Sequence, residues 1–179
     1  MNIFLHICCA PCALYPYFRL QEDGLEPTGY FYNPNIHPYL EYKKRLDTVK
    51  EFSARVGIEV VYRDDYDLDP FLLRVAGKGA QRCEECYRIR LDAVAAAARE
   101  KGFSVFTTSL LYSKFQNHDL IKGIAQETAS EYGIEFHYQD FRRGWREGIV
   151  ESRAMGLYRQ QYCGCIYSER DRYQKHSKT

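Results

Sequence analysis

The seven cysteines of this chain fall into three tight groups: Cys8, Cys9 and Cys12; Cys83 and Cys86; Cys163 and Cys165. Free thiols that only fill a core would be scattered as small hydrophobes. Thiolates, by contrast, bind metals, and residues three apart in a loop or first helical turn aim two sulfurs at one point, as Cys9–Cys12 and Cys83–Cys86 do. Two such pairs would complete a tetrahedral zinc site and leave three thiols over. The surplus suits an iron–sulfur cluster together with a second metal or an exchanging dithiol. Cys163 and Cys165, separated only by Gly164, could join each other only in a strained geometry. They therefore read as an easily reduced redox pair or as separate metal ligands. A zinc-stabilised RNA-binding module and a thiol–disulfide oxidoreductase remain open beside the iron–sulfur reading.

The rest of the composition constrains partners. With 25 basic against 24 acidic residues in 179, bulk charge announces neither nucleic acid nor a membrane, so any RNA contact must use a local patch. The opening MNIFLHICCAPC is too short an apolar run for a signal segment, and no later stretch approaches a membrane span, so a cytoplasmic chain with no membrane partner is expected. There the thiols would stay largely reduced, and their odd number argues against a disulfide framework. The best basic and aromatic patch is Arg142, Arg143, Trp145 and Arg146, continued by Arg153, Arg159, Arg170 and Arg172. Glu147, Glu151 and Glu169 in the same stretch allow a plain solvated helical face instead. The 16 tyrosines suit either base stacking or a polar-tipped core.

Hydrophobic periodicity sets the elements that must position these groups. Strands are expected at Asn2–Ile7, Pro27–Tyr32, Ile58–Tyr62, Phe103–Leu110 and Glu135–Phe141. Helices are expected at Ala13–Glu22, Tyr39–Val56, about Cys86–Lys101 and Leu120–Tyr132, with a helical, arginine-rich tail from Arg142. This alternation is the pattern of an α/β fold: an open, mostly parallel sheet with helices on both faces, in one domain over residues 1–179. Ligands of such sheets bind beyond the carboxyl ends of the strands. CCAPC, NPNIHP, RDDYD, TSLLYS and QDF follow the five strands there. Asn33, Asn35, His37, Tyr112, His118 and Asp140 thus become candidates beside the thiols, although asparagine beside proline is also an ordinary turn former.

Together, LHICCAPC, YNPNIHPYLEYKKR, CEECYRIRL, TTSLLYSKFQNHDLI, YQDFRRGWREG and QQYCGCIYS resemble, in that order, the cobalamin-independent epoxyqueuosine reductases of the QueH type. The resemblance spans nearly the whole chain and implies a 4Fe-4S cluster beside a further bound metal, an iron. It implies as substrate a tRNA carrying epoxyqueuosine at the wobble position, and as partner a low-potential electron donor. On this view Cys8, Cys9, Cys83 and Cys86 surround the cluster, while Cys12, Cys163, Cys165 and Asp140 lie near the second metal. Tyr112, His37 or His118 would deliver protons, Asn33 and Asn35 would orient the base, and Arg142, Trp145 and Arg146 would hold RNA. The sheet also resembles that of PP-loop ATPases. CCAPC, however, replaces the glycine- and serine-rich phosphate cradle with thiols and a proline that lacks an N–H, so ATP is not expected as a ligand.

Overall fold

The computed structural model describes residues 1–174; the last five residues of the expected tail and domain lie outside the described residues. Its strands are β1 (Asn2–His6), β2 (Glu26–Phe31), β3 (Val60–Tyr62), β4 (Val105–Thr108) and β5 (Glu135–Phe136). They form one parallel sheet in the order β3-β2-β1-β4-β5. β1 is central, and its Ile3, Phe4 and Leu5 are fully buried, which is why it reads as a continuous apolar run rather than an alternating one. Each such side chain contributes about 1.5–3 kcal/mol by leaving water. Gly29 on β2 permits this closeness, because a Cβ there would come within 2.7 Å of Ile7 and 2.9 Å of Val60.

The helices are α1 (Ala10–Glu22), α2 (Tyr39–Val56), α3 (Leu68–Val75), α4 (Arg82–Glu100), α5 (His118–Tyr132), α6 (Trp145–Ala154) and α7 (Ile166–Tyr173). The α/β class and the parallel order agree with the sequence reading, and α2 has the expected bounds. Helix α3 was not expected, because its apolar residues sit in an acidic stretch shorter than three helical turns. β5 is much shorter than Glu135–Phe141, since residues 137–140 leave the sheet to enter a 3-10 turn at Phe141–Gly144. Among the described residues no helix is long and apolar enough to cross a membrane.

Two shifts of boundary matter for chemistry. α1 begins three residues before the expected start, with Cys9 as its N-cap and proline in its first turn, and α4 begins four residues early. Cys12 and Cys83 consequently ride on first helical turns, and Cys86 begins the second turn of α4. Cys165 is the N-cap of α7, its sulfur accepting the Ser168 N–H at 3.3 Å. All three cysteine groups therefore lie at or beside the N-terminal end of a helix.

Candidate metal centre

The chain leaves β1 at His6 and turns at once into α1, bringing the sulfurs of Cys8, Cys9 and Cys12 within 4.8 Å of one another. Ser109, just past β4, ties this turn to the sheet: its hydroxyl accepts the Cys8 N–H at 3.0 Å and lies 3.3 Å from the Cys8 sulfur. From the tail, Gln160 Nε2 donates to Cys9 Sγ at 3.0 Å and to Cys12 Sγ at 3.4 Å. Hydrogen bonds from the Cys12 and Cys9 thiols lower the Cys8 thiol well below its usual range. Cys12 is raised by its sharing with Cys8, and Cys9 by burial. Beneath them, fully buried His6 bonds Thr108 Oγ1 at 2.9 Å. Burial, assisted by the charge of Arg90, pulls this imidazole down to about 4 and keeps it neutral.

The other four cysteines line a neighbouring cavity of about 160 Å³ together with Asn35, Tyr87 and Arg90. Cys83 and Cys86 come from α4. Cys163 and Cys165 come from the irregular segment between α6 and α7, which several buried groups hold in place. Arg45 donates to the Cys163 carbonyl at 2.9 Å and the Tyr162 carbonyl at 3.1 Å, while Glu41 pairs with Arg45 at 2.7 Å. The His37 N–H bonds the Gly164 carbonyl at 2.8 Å, and His37 Nδ1 accepts the Ile166 N–H at 3.4 Å. Gly164 has φ 146°, and a Cβ there would lie 2.9 Å from Asn35 Nδ2, so this position excludes a side chain on two grounds. Burial pushes the Cys86 thiol up to about 12, and Arg90 Nη2 donates to its sulfur at 3.3 Å.

A larger cleft of about 650 Å³ opens beside this cavity, with Cys8, Cys12, Tyr112, Trp145 and Gln160 in its walls. Cys163, Phe115 and Gln116 line both spaces, so the two thiol groups face adjoining volumes. Arg45, Arg153, Arg159 and Arg172 give the cleft its basic lining. Phe115 is 87% exposed at its edge and meets Trp145 edge-to-face at 5.5 Å. Gly144 and Gly148 let α6 approach Tyr15 and Tyr112, since a Cβ at either would overlap those rings. Trp145 is thereby held against Tyr112 at 5.1 Å, with the Tyr112 hydroxyl donating to the Trp145 carbonyl at 3.1 Å.

Not every expected residue reaches this region. Asp140 accepts two hydrogen bonds from the Arg142 guanidinium, at 2.8 and 2.7 Å, and caps the following turn. That pairing holds its carboxyl down to about 2, and neither thiol cavity includes it. Its carboxylate is thus engaged by Arg142, apart from both thiol cavities. Arg142 is occupied by the same pair, and exposed Arg146 is absent from the cleft lining as well. Trp145 alone of that trio faces the cleft. His118 bonds Tyr138 at 3.1 Å on α5, away from both cavities. His37 is buried between the Pro34 carbonyl, 3.0 Å from Nε2, and the Cys163–Cys165 segment, where it braces the loop rather than facing the cleft. Asn33 donates to the Ile7 carbonyl at 2.9 Å, whereas Asn35 borders the four-thiol cavity with its buried Oδ1 unpartnered by protein.

Arg45, Arg90, Ser109 and Gln160 were not singled out from the sequence. Arg90 had a legible signal, four residues after Cys86 on the same helical face. Gln160 and Ser109 reach the thiols from 151 and 101 residues away, and no local pattern marks such contacts. Soft sulfur donors in these numbers suit zinc, copper(I) or an iron–sulfur cluster, and the three-sulfur group fits a metal cofactor.

The family model described as epoxyqueuosine reductase QueH matches residues 3–171. Proteins named epoxyqueuosine reductase QueH are 37% identical in Dehalococcoides mccartyi, covering 97% of this chain and 96% of that one. The one in Thermotoga maritima is 33% identical, covering 99% and 95%. Among solved structures, a predicted subunit of tRNA methyltransferase from Methanocaldococcus jannaschii superposes with a TM-score of 0.56 at 13% identity, covering 86% of this chain and 76% of that one; it speaks for the fold alone. With the family match running through all three cysteine groups, this chain belongs to the QueH family of epoxyqueuosine reductases, which are oxidoreductases.

Proposed function

We propose that this chain reduces epoxyqueuosine at the tRNA wobble position to queuosine, as one reductase domain over residues 1–179 acting in the cytoplasm. We assign a 4Fe-4S cluster to Cys83, Cys86, Cys163 and Cys165, and a second metal, an iron, to Cys8, Cys9 and Cys12. The observation that carries this reading is the division of seven thiols into two groups facing adjoining cavities. The division differs from the sequence expectation, which joined Cys8 and Cys9 to Cys83 and Cys86 and set Asp140 beside the metal.

Converting an epoxide to an alkene breaks both C–O bonds and forms C=C. Two electrons enter from a low-potential donor, and two protons leave with the oxygen as water. When bound, thiolate-held iron supplies electron transfer and Lewis acidity toward oxygen. The protein's own part is to bind and orient. The Phe115–Trp145 edge offers a stacking surface for an unpaired base, and the cleft arginines offer donors to the RNA backbone. Buried Tyr112, its hydroxyl pushed up by desolvation, keeps its proton at neutral pH and fixes Trp145 through the carbonyl bond.

The test is turnover. Anaerobic, iron-loaded protein with a low-potential donor and an epoxyqueuosine-containing anticodon stem-loop is expected to yield a nucleoside lighter by one oxygen, without added cobalamin. Chelation of the iron is expected to stop it. No conversion with several competent donors, or full activity in metal-free protein, would overturn the function.

A further inference from the structure

Two arginines are buried in this molecule, and they differ in what balances their charge. Arg45 has Glu41 at 2.7 Å. Arg90 is 1% exposed, and its hydrogen bonds among the described residues go to the Cys86 carbonyl at 3.0 Å and the Cys86 sulfur at 3.3 Å. No carboxylate of the described residues pairs with it. A guanidinium stays charged at any ordinary pH, and a buried cation left without a counter-charge is strongly destabilising. Burial works against its charge, and the groups whose ionisation would support that charge are Cys86, Cys163 and Cys8, then Tyr87. These cysteines come from both thiol groups, and Arg90 also borders the four-thiol cavity.

From this geometry we infer that Arg90 is the fixed counter-charge of the thiolate centres, a positioning residue that holds Cys86 and biases electrons onto the bound metal. The inference rests on the metal–thiolate reading above. Thiolates binding a metal bring negative charge into a site whose empty form is protonated, so a permanent cation there favours the loaded state. Reduction adds one more negative charge, which the same cation also favours. The guanidinium therefore raises the reduction potential of the centre and strengthens metal retention. Helix α4 delivers this by spacing alone, since a residue four positions after a ligand lies over the same helical face.

The experiment uses anaerobically reconstituted full-length protein and its Arg90→Met and Arg90→Lys variants. Iron, sulfide and the midpoint potential are measured on each, with folding checked by circular dichroism. Methionine keeps volume without charge, and lysine keeps charge without the planar fork. Arg90→Met is expected to lower the ratio of reduced to oxidised centre at fixed potential about tenfold, about 59 mV for one electron, with Arg90→Lys recovering most of it. An Arg90→Met protein that cannot load while Arg90→Lys loads supports the same conclusion. A loaded Arg90→Met centre with unchanged potential would overturn it, as would a lysine variant no better than the methionine one. Wild-type protein that binds no iron would instead sink the underlying metal reading, and this proposal with it.

Discussion

The two thiol groups are built differently. Cys8, Cys9 and Cys12 sit where the central strand runs into a helix, with the sulfurs converged and hydrogen-bonded by Ser109 and Gln160. Cys83, Cys86, Cys163 and Cys165 are joined from a helix start and a tail segment about eighty residues later, and Cys83 and Cys163 are exposed. The first group is converged by the sheet and the start of α1, and the tail adds only the Gln160 hydrogen bonds to it. The second is completed only when the tail docks, so a metal bound there would be coupled to ordering that segment. The contrast suits a division of labour between a tightly framed site and one assembled around its cofactor.

The largest expected effect separates the groups by what they hold. Cys86→Ala and Cys12→Ala are both expected to abolish turnover, but Cys86→Ala should lose acid-labile sulfide. Cys12→Ala should keep about four sulfides per chain and lose only the additional iron. Equal losses in both variants would break the division. A smaller effect should fall mainly on the tail-built site. Arg45→Met removes the donors to the Tyr162 and Cys163 carbonyls and is expected to weaken metal retention there roughly 10–100-fold. The iron held by the first group, which the tail touches only through Gln160, should be released less readily, and iron release to a chelator followed over time reports this.

RNA binding offers the next comparison. Phe115→Ala is expected to cost about 1–3 kcal/mol of stem-loop affinity, the usual worth of one base stack. The only tryptophan of the chain, Trp145, should report binding by quenching of its fluorescence. Arg159→Ala with Arg172→Ala should flatten the salt dependence by about 1.4 in log–log slope, at 0.7 per single-strand phosphate contact. Arg142→Ala should leave that slope alone and change stability little, since its pair with Asp140 is partly exposed and screened by solvent. The Asp140 carboxyl is depressed to about 2. The pair's small contribution is thus present above the ordinary aspartate range and lost as pH falls through about 2.

These differences also show what the sequence could reveal. The parallel sheet was legible because buried strands leave apolar runs and helices leave a 3.6-residue rhythm, as in α2. The thiols were legible as chemistry because their spacing is local. Their spatial grouping was not, because Cys86 and Cys163 come to line one cavity only through the docking of a loop by Arg45 and His37, and such contacts leave no periodic trace. Asp140 drew attention because it ends the expected fifth strand and Arg142 because it opens a basic and aromatic patch; their pairing with each other is a contact between close neighbours that position along the chain does not distinguish from a functional role. Arg90 went unnoticed although it lay within one helical turn of Cys86, because an arginine is ordinarily solvated and its burial shows only in the fold.

An iron–sulfur cluster and a separate iron held by the seven thiols would leave a distinct elemental signature. The most direct measurement is the iron, zinc and acid-labile sulfide content of protein prepared without oxygen, read together with the two cysteine variants above. About five iron and four sulfide per chain are expected, with sulfide lost in Cys86→Ala and kept in Cys12→Ala. Stoichiometric zinc without labile sulfide in catalytically active protein would contradict the cluster reading.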